Sequence, residues 1–350
     1  MTSPAALEPI ELRSDNAAGV APELLAAVVA ANEGSALAYG GDRLTARLRE
    51  LVREVFEQPH AEVFPVVSGT AANSLALSAL CPPWGSVLCH ESAHIIVNEG
   101  GATSLFSGGG VMRGLSGDDY RVSPQALQQA FDRTNWGDPH HSQPAVLSLT
   151  CPTDFGTIYS PAQIAELTAL AHGRGLHTHL DGARLANAVV ANQCSPADLI
   201  THSSVDAFSL GAIKNGALST DAVVCFHPEA SEQLVYRVKR AGHVASKMRF
   251  QSAQLVAYLT DGLWLRLAQR ANDAMAQLSA GLRALDMDLL AEPQANMLFA
   301  RVGDEAIERL AASGLLFYDM PGGVVRFVTS FQTTADDVAE VLRRAEAAVS

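Results

Sequence analysis

The chain has 350 residues, 48% of them hydrophobic and 17% charged, which is enough to bury a large core with a smaller accessory unit beside it. Its formal net charge of -13 at pH 7 repels phosphate backbones and anionic lipid, so nucleic acid and membrane surfaces are poor partners. Five cysteines without a C-x-x-C pair read as reduced thiols of a cytoplasmic protein, and neither a secretory leader pattern nor a membrane-spanning apolar run is expected.

From residue 43 to residue 227, short apolar runs bounded by glycine and proline alternate with amphipathic segments. This is the pattern of a mostly parallel sheet covered by helices, so the fold class is α/β. In chain order the pattern predicts a helix over 44–56, a strand over 63–67 and a helix over 71–80 begun by Thr70. A strand over 86–89, a helix over 124–133 begun by Ser123, a strand over 145–150 and a helix over 161–174 begun by Ser160 follow. Strands over 176–180, 207–210 and 222–226 complete this half. Beyond residue 230 the pattern changes to long helices over 232–249 and 253–285, then short strands over 295–302 and 324–328. The change marks a smaller C-terminal α+β domain, with a division expected between 1–245 and 246–350. There is no internal repeat and no low-complexity tract.

Three segments carry chemistry. Val63-Phe-Pro-Val-Val-Ser-Gly-Thr-Ala-Ala-Asn73 reads as strand, tight turn and helix. Such a turn aims backbone N–H groups and the positive end of a helix dipole at one point, where the hydroxyls of Ser68 and Thr70 and the bare backbone of Gly69 suit an anion. Taken alone, Ser68 or Thr70 is also an ordinary N-cap. Leu176-His-Thr-His-Leu-Asp-Gly-Ala-Arg184 ends a strand at Asp181, and parallel sheets place ligands outside the carboxyl ends of their strands. Only three of the 24 basic residues are lysines. Lys239 and Lys247 fall in a predicted helix, whereas Lys214 stands alone in a flexible turn after the strand over 207–210. A phosphate cradle, a strand-end carboxylate and a lysine 33 residues later match the needs of pyridoxal 5'-phosphate. Its phosphate needs a helix N-terminus, its ring nitrogen an anion and its aldehyde an amine.

These residues resemble the threonine aldolase branch of the beta-eliminating lyases, within the aspartate-aminotransferase-like (fold type I) group of pyridoxal phosphate enzymes. The resemblance runs from Arg13-Ser-Asp-Asn16 through Tyr39-Gly-Gly-Asp42, Ser68-Gly-Thr-Ala-Ala-Asn73, Ser92-Ala-His94 and His179-Leu-Asp-Gly-Ala-Arg184 to Lys214-Asn-Gly216 and Arg326-Phe-Val-Thr329. It implies that Lys214 binds the cofactor aldehyde, that Asp181 pairs with the ring nitrogen, and that Ser68, Gly69 and Thr70 hold the phosphate. His94 would stack on the ring and handle the substrate hydroxyl proton, directly or through a water. Ser14, Tyr39, Arg184 and Arg326 would bind the substrate, and Arg240 would reach the phosphate of a neighbouring subunit in a homotetramer with shared sites. The implied activity is Cα–Cβ cleavage of 3-hydroxy amino acids to glycine and an aldehyde. One departure stands out: many relatives have a Thr-His-Asn segment after the strand ending at Thr150, where this chain has Cys151-Pro-Thr-Asp-Phe-Gly156.

Three other readings compete. β-Elimination, transamination or racemisation would use the same Lys214 and Asp181. A metal-dependent hydrolase could be built on His177, His179 and Asp181, which strand alternation puts on one face, although no metal is expected. The last is a binding protein that keeps the cofactor fold without turnover.

Overall fold

The computed structural model describes residues 8–349. Seven strands form the main sheet: β1 (Glu62–Val66), β2 (Gly85–His90), β3 (Val111–Leu115), β4 (Gln143–Thr150), β5 (His177–Asp181), β6 (Ala207–Leu210) and β7 (Asp221–Cys225). Their order across the sheet is β1-β7-β6-β5-β4-β2-β3. The pairs from β6 through β5, β4 and β2 to β3 are parallel, whereas β7 opposes both β6 and β1. β2, β6 and β7 are buried at every position, and most of their residues are apolar as a sheet covered on both faces requires. The sequence reading missed β3 because Val111-Met-Arg-Gly-Leu115 lies on the sheet edge with every residue at least partly exposed, and so lacks a core-strand pattern.

The helices that cover the sheet begin as their local chemistry dictates. Ser160 and Gln163 form a capping box, and Ser123 accepts from the Ala126 N–H. At the first helix after β1, Gly69–Leu80, the cap is Ser68 and not the expected Thr70; the Ser68 hydroxyl accepts from the Ala71 N–H at 3.2 Å.

The long helices expected after residue 230 are broken twice. Pro228–Arg240 ends before Gly242, whose φ is +83°, and Arg249–Leu259 is separated from Leu263–Ala284 by Asp261 at +50° and Gly262 at +66°. Left-handed residues cannot continue a right-handed helix. In the second unit Asp288–Leu289, Met297–Arg301, Tyr318–Met320 and Val324–Val328 form an antiparallel sheet, with helices Asp304–Ala312 and Ala335–Val349 between and after them.

Two cores share the helix Leu263–Ala284. Leu255, Tyr258, Trp264 and Leu267 belong to the core under the main sheet, where Phe56 meets Phe208 at 4.8 Å and Trp264 at 6.2 Å between ring centres. Ala274, Leu278 and Leu282, further along the same helix, belong to the small-domain core together with Leu12. The core contacts thus change partway along Leu263–Ala284, and the N-terminal strand Ile10–Glu11 is joined to Leu315–Leu316 on the small-domain side.

Candidate active site

The strand directions assemble the site at one edge of the main sheet. β1, β5 and β6 end there, and β7, being antiparallel, begins there. That edge therefore receives the helix start at Gly69, the carboxylate of Asp181, the turn Ile213–Asn215 carrying Lys214, and Asp221. Together with Asn73, His94 and Glu99 these residues line a cavity of about 280 Å³. Because the Ser68 side chain already occupies the Ala71 N–H, the N–H groups of Gly69 and Thr70 are the helix-start donors left for an anion.

The Lys214 turn is held from both sides. Asp221 accepts from the N–H groups of Ala212 at 2.7 Å and Ile213 at 3.0 Å, and Asn215 donates to Tyr258 Oη at 2.9 Å and the Trp264 carbonyl at 2.8 Å. Gly216 follows at φ +104°, where a Cβ would lie 2.9 Å from Ala21 Cβ, so the Lys-Asn-Gly run needs its glycine on both conformational and steric grounds. The Arg184 guanidinium and burial push the Lys214 amine below the usual lysine range, against the pull of Asp15, Asp181 and Asp154. A larger neutral fraction makes it a better nucleophile.

Asp181, buried at the end of β5, accepts from the Ala183 N–H at 3.0 Å, Ser209 Oγ at 3.3 Å and Asn73 Nδ2 at 2.9 Å. Three donors suit a carboxylate. His94 lines the cavity; its Nδ1 lies 2.9 Å from Glu99 Oε1, and its backbone N–H donates to Asp154 Oδ2 at 2.9 Å. Glu99 and the approach of its carboxylate to Asn73 at 3.0 Å went unread in the sequence. Asp154 lies within the departing segment Cys151–Gly156 and now has a place: burial raises its carboxyl above the ordinary range, Asp181 adds to that, and His94, Lys214 and Arg184 oppose it.

Arg184 is not free in this state. Its Nε and Nη2 make a bidentate pair with Asp15 at 2.6 and 2.9 Å, and Asn296 Nδ2 supports Asp15 at 3.0 Å. Burial works to raise the Asp15 carboxyl, but Arg184 outweighs it and holds it below the ordinary range. Ser14 caps the short turn Asp15–Ala17. Arg326 donates to the Arg13 carbonyl at 3.1 Å and lies 4.6 Å from the Tyr318 ring centre, while its Nε is buried without a partner. That unmatched donor suits an incoming carboxylate.

Tyr39 and Arg240 do not line the cavity. Tyr39 is exposed beneath the Lys239 ammonium, 4.9 Å from its ring centre, and Arg240 is exposed at the end of the neighbouring helix Pro228–Arg240. The histidines of β5 do not converge either. His179 Nδ1 lies 2.9 Å from Ser148 Oγ, and burial pushes its ring down to about 4. His177 lies against His227, 4.6 Å between ring centres. Among the described residues no group of three or more His, Cys, Asp or Glu is arranged to hold a metal ion.

An amine of lowered basicity, a buried carboxylate with its acceptor sites fixed, and a helix N-terminus facing one cavity form a donor set that fits pyridoxal phosphate. The architecture is that of the fold type I group: a threonine aldolase structure from Leishmania major superposes with a TM-score of 0.91 at 24% identity, covering 98% of this chain and 100% of that one. A PLP-bound serine palmitoyltransferase variant from S. paucimobilis gives 0.71 at 16%, covering 97% and 87%. The chain belongs to the beta-eliminating lyase family, which its residues 11–305 match. Relatives called low specificity L-threonine aldolase are 39% identical in Pseudomonas aeruginosa, covering 95% of this chain and 96% of the relative, and 36% identical in a Pseudomonas species, covering 97% and 98%.

Proposed function

We propose that this chain is a pyridoxal phosphate-dependent aldolase that cleaves L-3-hydroxy-α-amino acids of the threonine, allo-threonine and phenylserine type to glycine and an aldehyde. The observation that carries the reading is the convergence of Lys214, Asp181 and the Gly69 helix start on one cavity, in a chain 39% identical over nearly its whole length to a low specificity L-threonine aldolase. The cofactor, when bound, accepts into its ring the electron pair left when the Cα–Cβ bond breaks.

The residues around it have separable tasks. Lys214 Nζ would hold the cofactor's aldehyde carbon, and Asp181 would supply the anion beside its ring nitrogen. Ser68, Gly69 and Thr70 would hold its phosphate. Arg184, kept in place by Asp15, and Arg326, with its unmatched Nε, receive the substrate carboxylate beside Ser14, and that grip turns Cα–Cβ toward the breaking geometry. His94 Nε2 takes the proton of the β-hydroxyl. Tyr39 and Arg240 are both exposed and outside the cavity of their own chain, which supports a role in completing the site of a second copy within a homotetramer. Five unbridged cysteines among the described residues support a reducing, cytoplasmic setting, and no described helix is long and apolar enough to cross a membrane.

Incubation of the purified protein with threonine, allo-threonine and phenylserine, without a keto acid, should yield glycine plus the matching aldehyde. Turnover that requires a keto acid would instead indicate transamination, and release of ammonia would indicate β-elimination.

A further inference from the structure

The side chain of Glu99 has no exposed surface, and a carboxylate taken wholly out of water is tolerated only where donors compensate it. Two donors meet on one of its oxygens: Oε1 lies 2.9 Å from His94 Nδ1 and 3.0 Å from Asn73 Nδ2. The same Asn73 nitrogen also donates to Asp181 Oδ2 at 2.9 Å. Both amide hydrogens of Asn73 are therefore spent on two carboxylates 82 residues apart in sequence, while Asn73 Oδ1 and Glu99 Oε2 are buried without a partner. Flipping the amide would point its oxygen at both anions, so only one orientation is sustainable.

Resting on the aldolase reading above, we infer that Glu99 is a positioning residue for His94: it fixes the hydrogen on Nδ1 and leaves Nε2 as the nitrogen that accepts the β-hydroxyl proton, with Asn73 locking Glu99 to Asp181. The step balances within these groups. The O–H bond of the β-hydroxyl breaks as an N–H bond forms at Nε2, the oxygen's electron pair becomes the aldehyde π bond, and the Cα–Cβ pair leaves toward Cα. The imidazolium so formed has its charge opposed by Glu99, as a carboxylate behind a histidine does in other proton-transfer sites.

The charged groups that face His94 are Glu99 at Nδ1, Asp154 on its backbone N–H, Asp181 across the cavity, and Lys214. Glu99 is the foremost influence; burial acts against it, Asp154 and Asp181 reinforce it and Lys214 opposes it, and the sum lifts His94 above its ordinary value. A base must be neutral to act, so kcat/KM should rise with pH through a midpoint above 6.5.

The test is histidine titration by nitrogen-15 NMR in the full-length protein as purified, with the His94 signal assigned from its loss in His94→Asn. Wild type should show the neutral ring with its hydrogen on Nδ1. In Glu99→Gln, which keeps the shape and removes the charge, the midpoint should fall by about one pH unit or more, and the acid limb of kcat/KM should move down with it. A wild-type tautomer with hydrogen on Nε2, or equal midpoints in wild type and Glu99→Gln, overturns the inference. Absence of glycine release by wild type from every hydroxy amino acid would refute the aldolase reading instead, and it is read separately from the NMR result.

Discussion

His177, His179 and Asp181 occupy alternate positions on one strand, yet the two ends of that strand have opposite characters. At the carboxyl end, Asp181 is 2% exposed and receives three donors, one from the turn that follows it, one from β6 and one from the helix Gly69–Leu80. At the amino end, half-buried His177 shares a solvent-facing cluster with His227, His172 and Asp206, where His172 Nε2 lies 2.9 Å from Asp206 Oδ2. Between them, His179 is sealed in the core and held neutral. All three are titratable groups on one face of the strand. Depth along the strand decides which of them reaches the cavity, because only the carboxyl end meets the helix start and the Lys214 turn.

Substitutions along this strand and beside it sharpen the contrast. Asp181→Asn should keep the protein folded and able to bind cofactor but slow aldol cleavage on the order of 100-fold or more; a rate near wild type would remove Asp181 from the mechanism. In stability the largest effect belongs to Asp15→Ala, which strips the buried partner from Arg184 and should cost about 3–5 kcal/mol in denaturant unfolding, with a raised KM for the amino acid.

His179 is a core group and should register in stability rather than turnover. Its folded value of about 4 lies below the ordinary 6.5, so the unfolded chain binds the extra proton between those values. Stability should therefore be full above pH 6.5 and decline as pH falls toward 4, by about 3 kcal/mol if this group acts alone. Substituting His179 with Gln should flatten that part of the curve. The smallest effect belongs to His177→Asn, expected within about 0.5 kcal/mol and without change in kcat; a large loss of activity there would contradict the assignment of function by depth.

What the sequence made legible follows the same division. Asp181, Lys214 and the Ser68-Gly69-Thr70 turn are chemically distinctive and stand at strand ends, so residue type and local pattern single them out, and the fold brings them to one cavity. The residues that orient them were opaque because their partners are remote: Asn73 and Asp181 are 108 positions apart, and Asp15 and Arg184 are 169 apart. Only the strand order brings them together. Asp154 lay within a segment already marked as unusual, but its contact with the His94 backbone crosses 60 positions. The helix breaks near residues 242 and 261 depended on left-handed backbone at Gly242, Asp261 and Gly262, which apolar periodicity does not register.

Tyr39 and Arg240 mark a different limit. Their chemistry was singled out by resemblance, yet neither faces the cavity of its own chain, and their use depends on a surface that a second copy would cover.

The most direct test of the account is borohydride reduction of the purified protein supplied with pyridoxal phosphate, followed by peptide mapping. The account predicts one modified peptide, with the added mass on Lys214, and none in Lys214→Ala. Mass fixed on Lys239 or Lys247, or no retained vitamin B6 derivative at all, would contradict it.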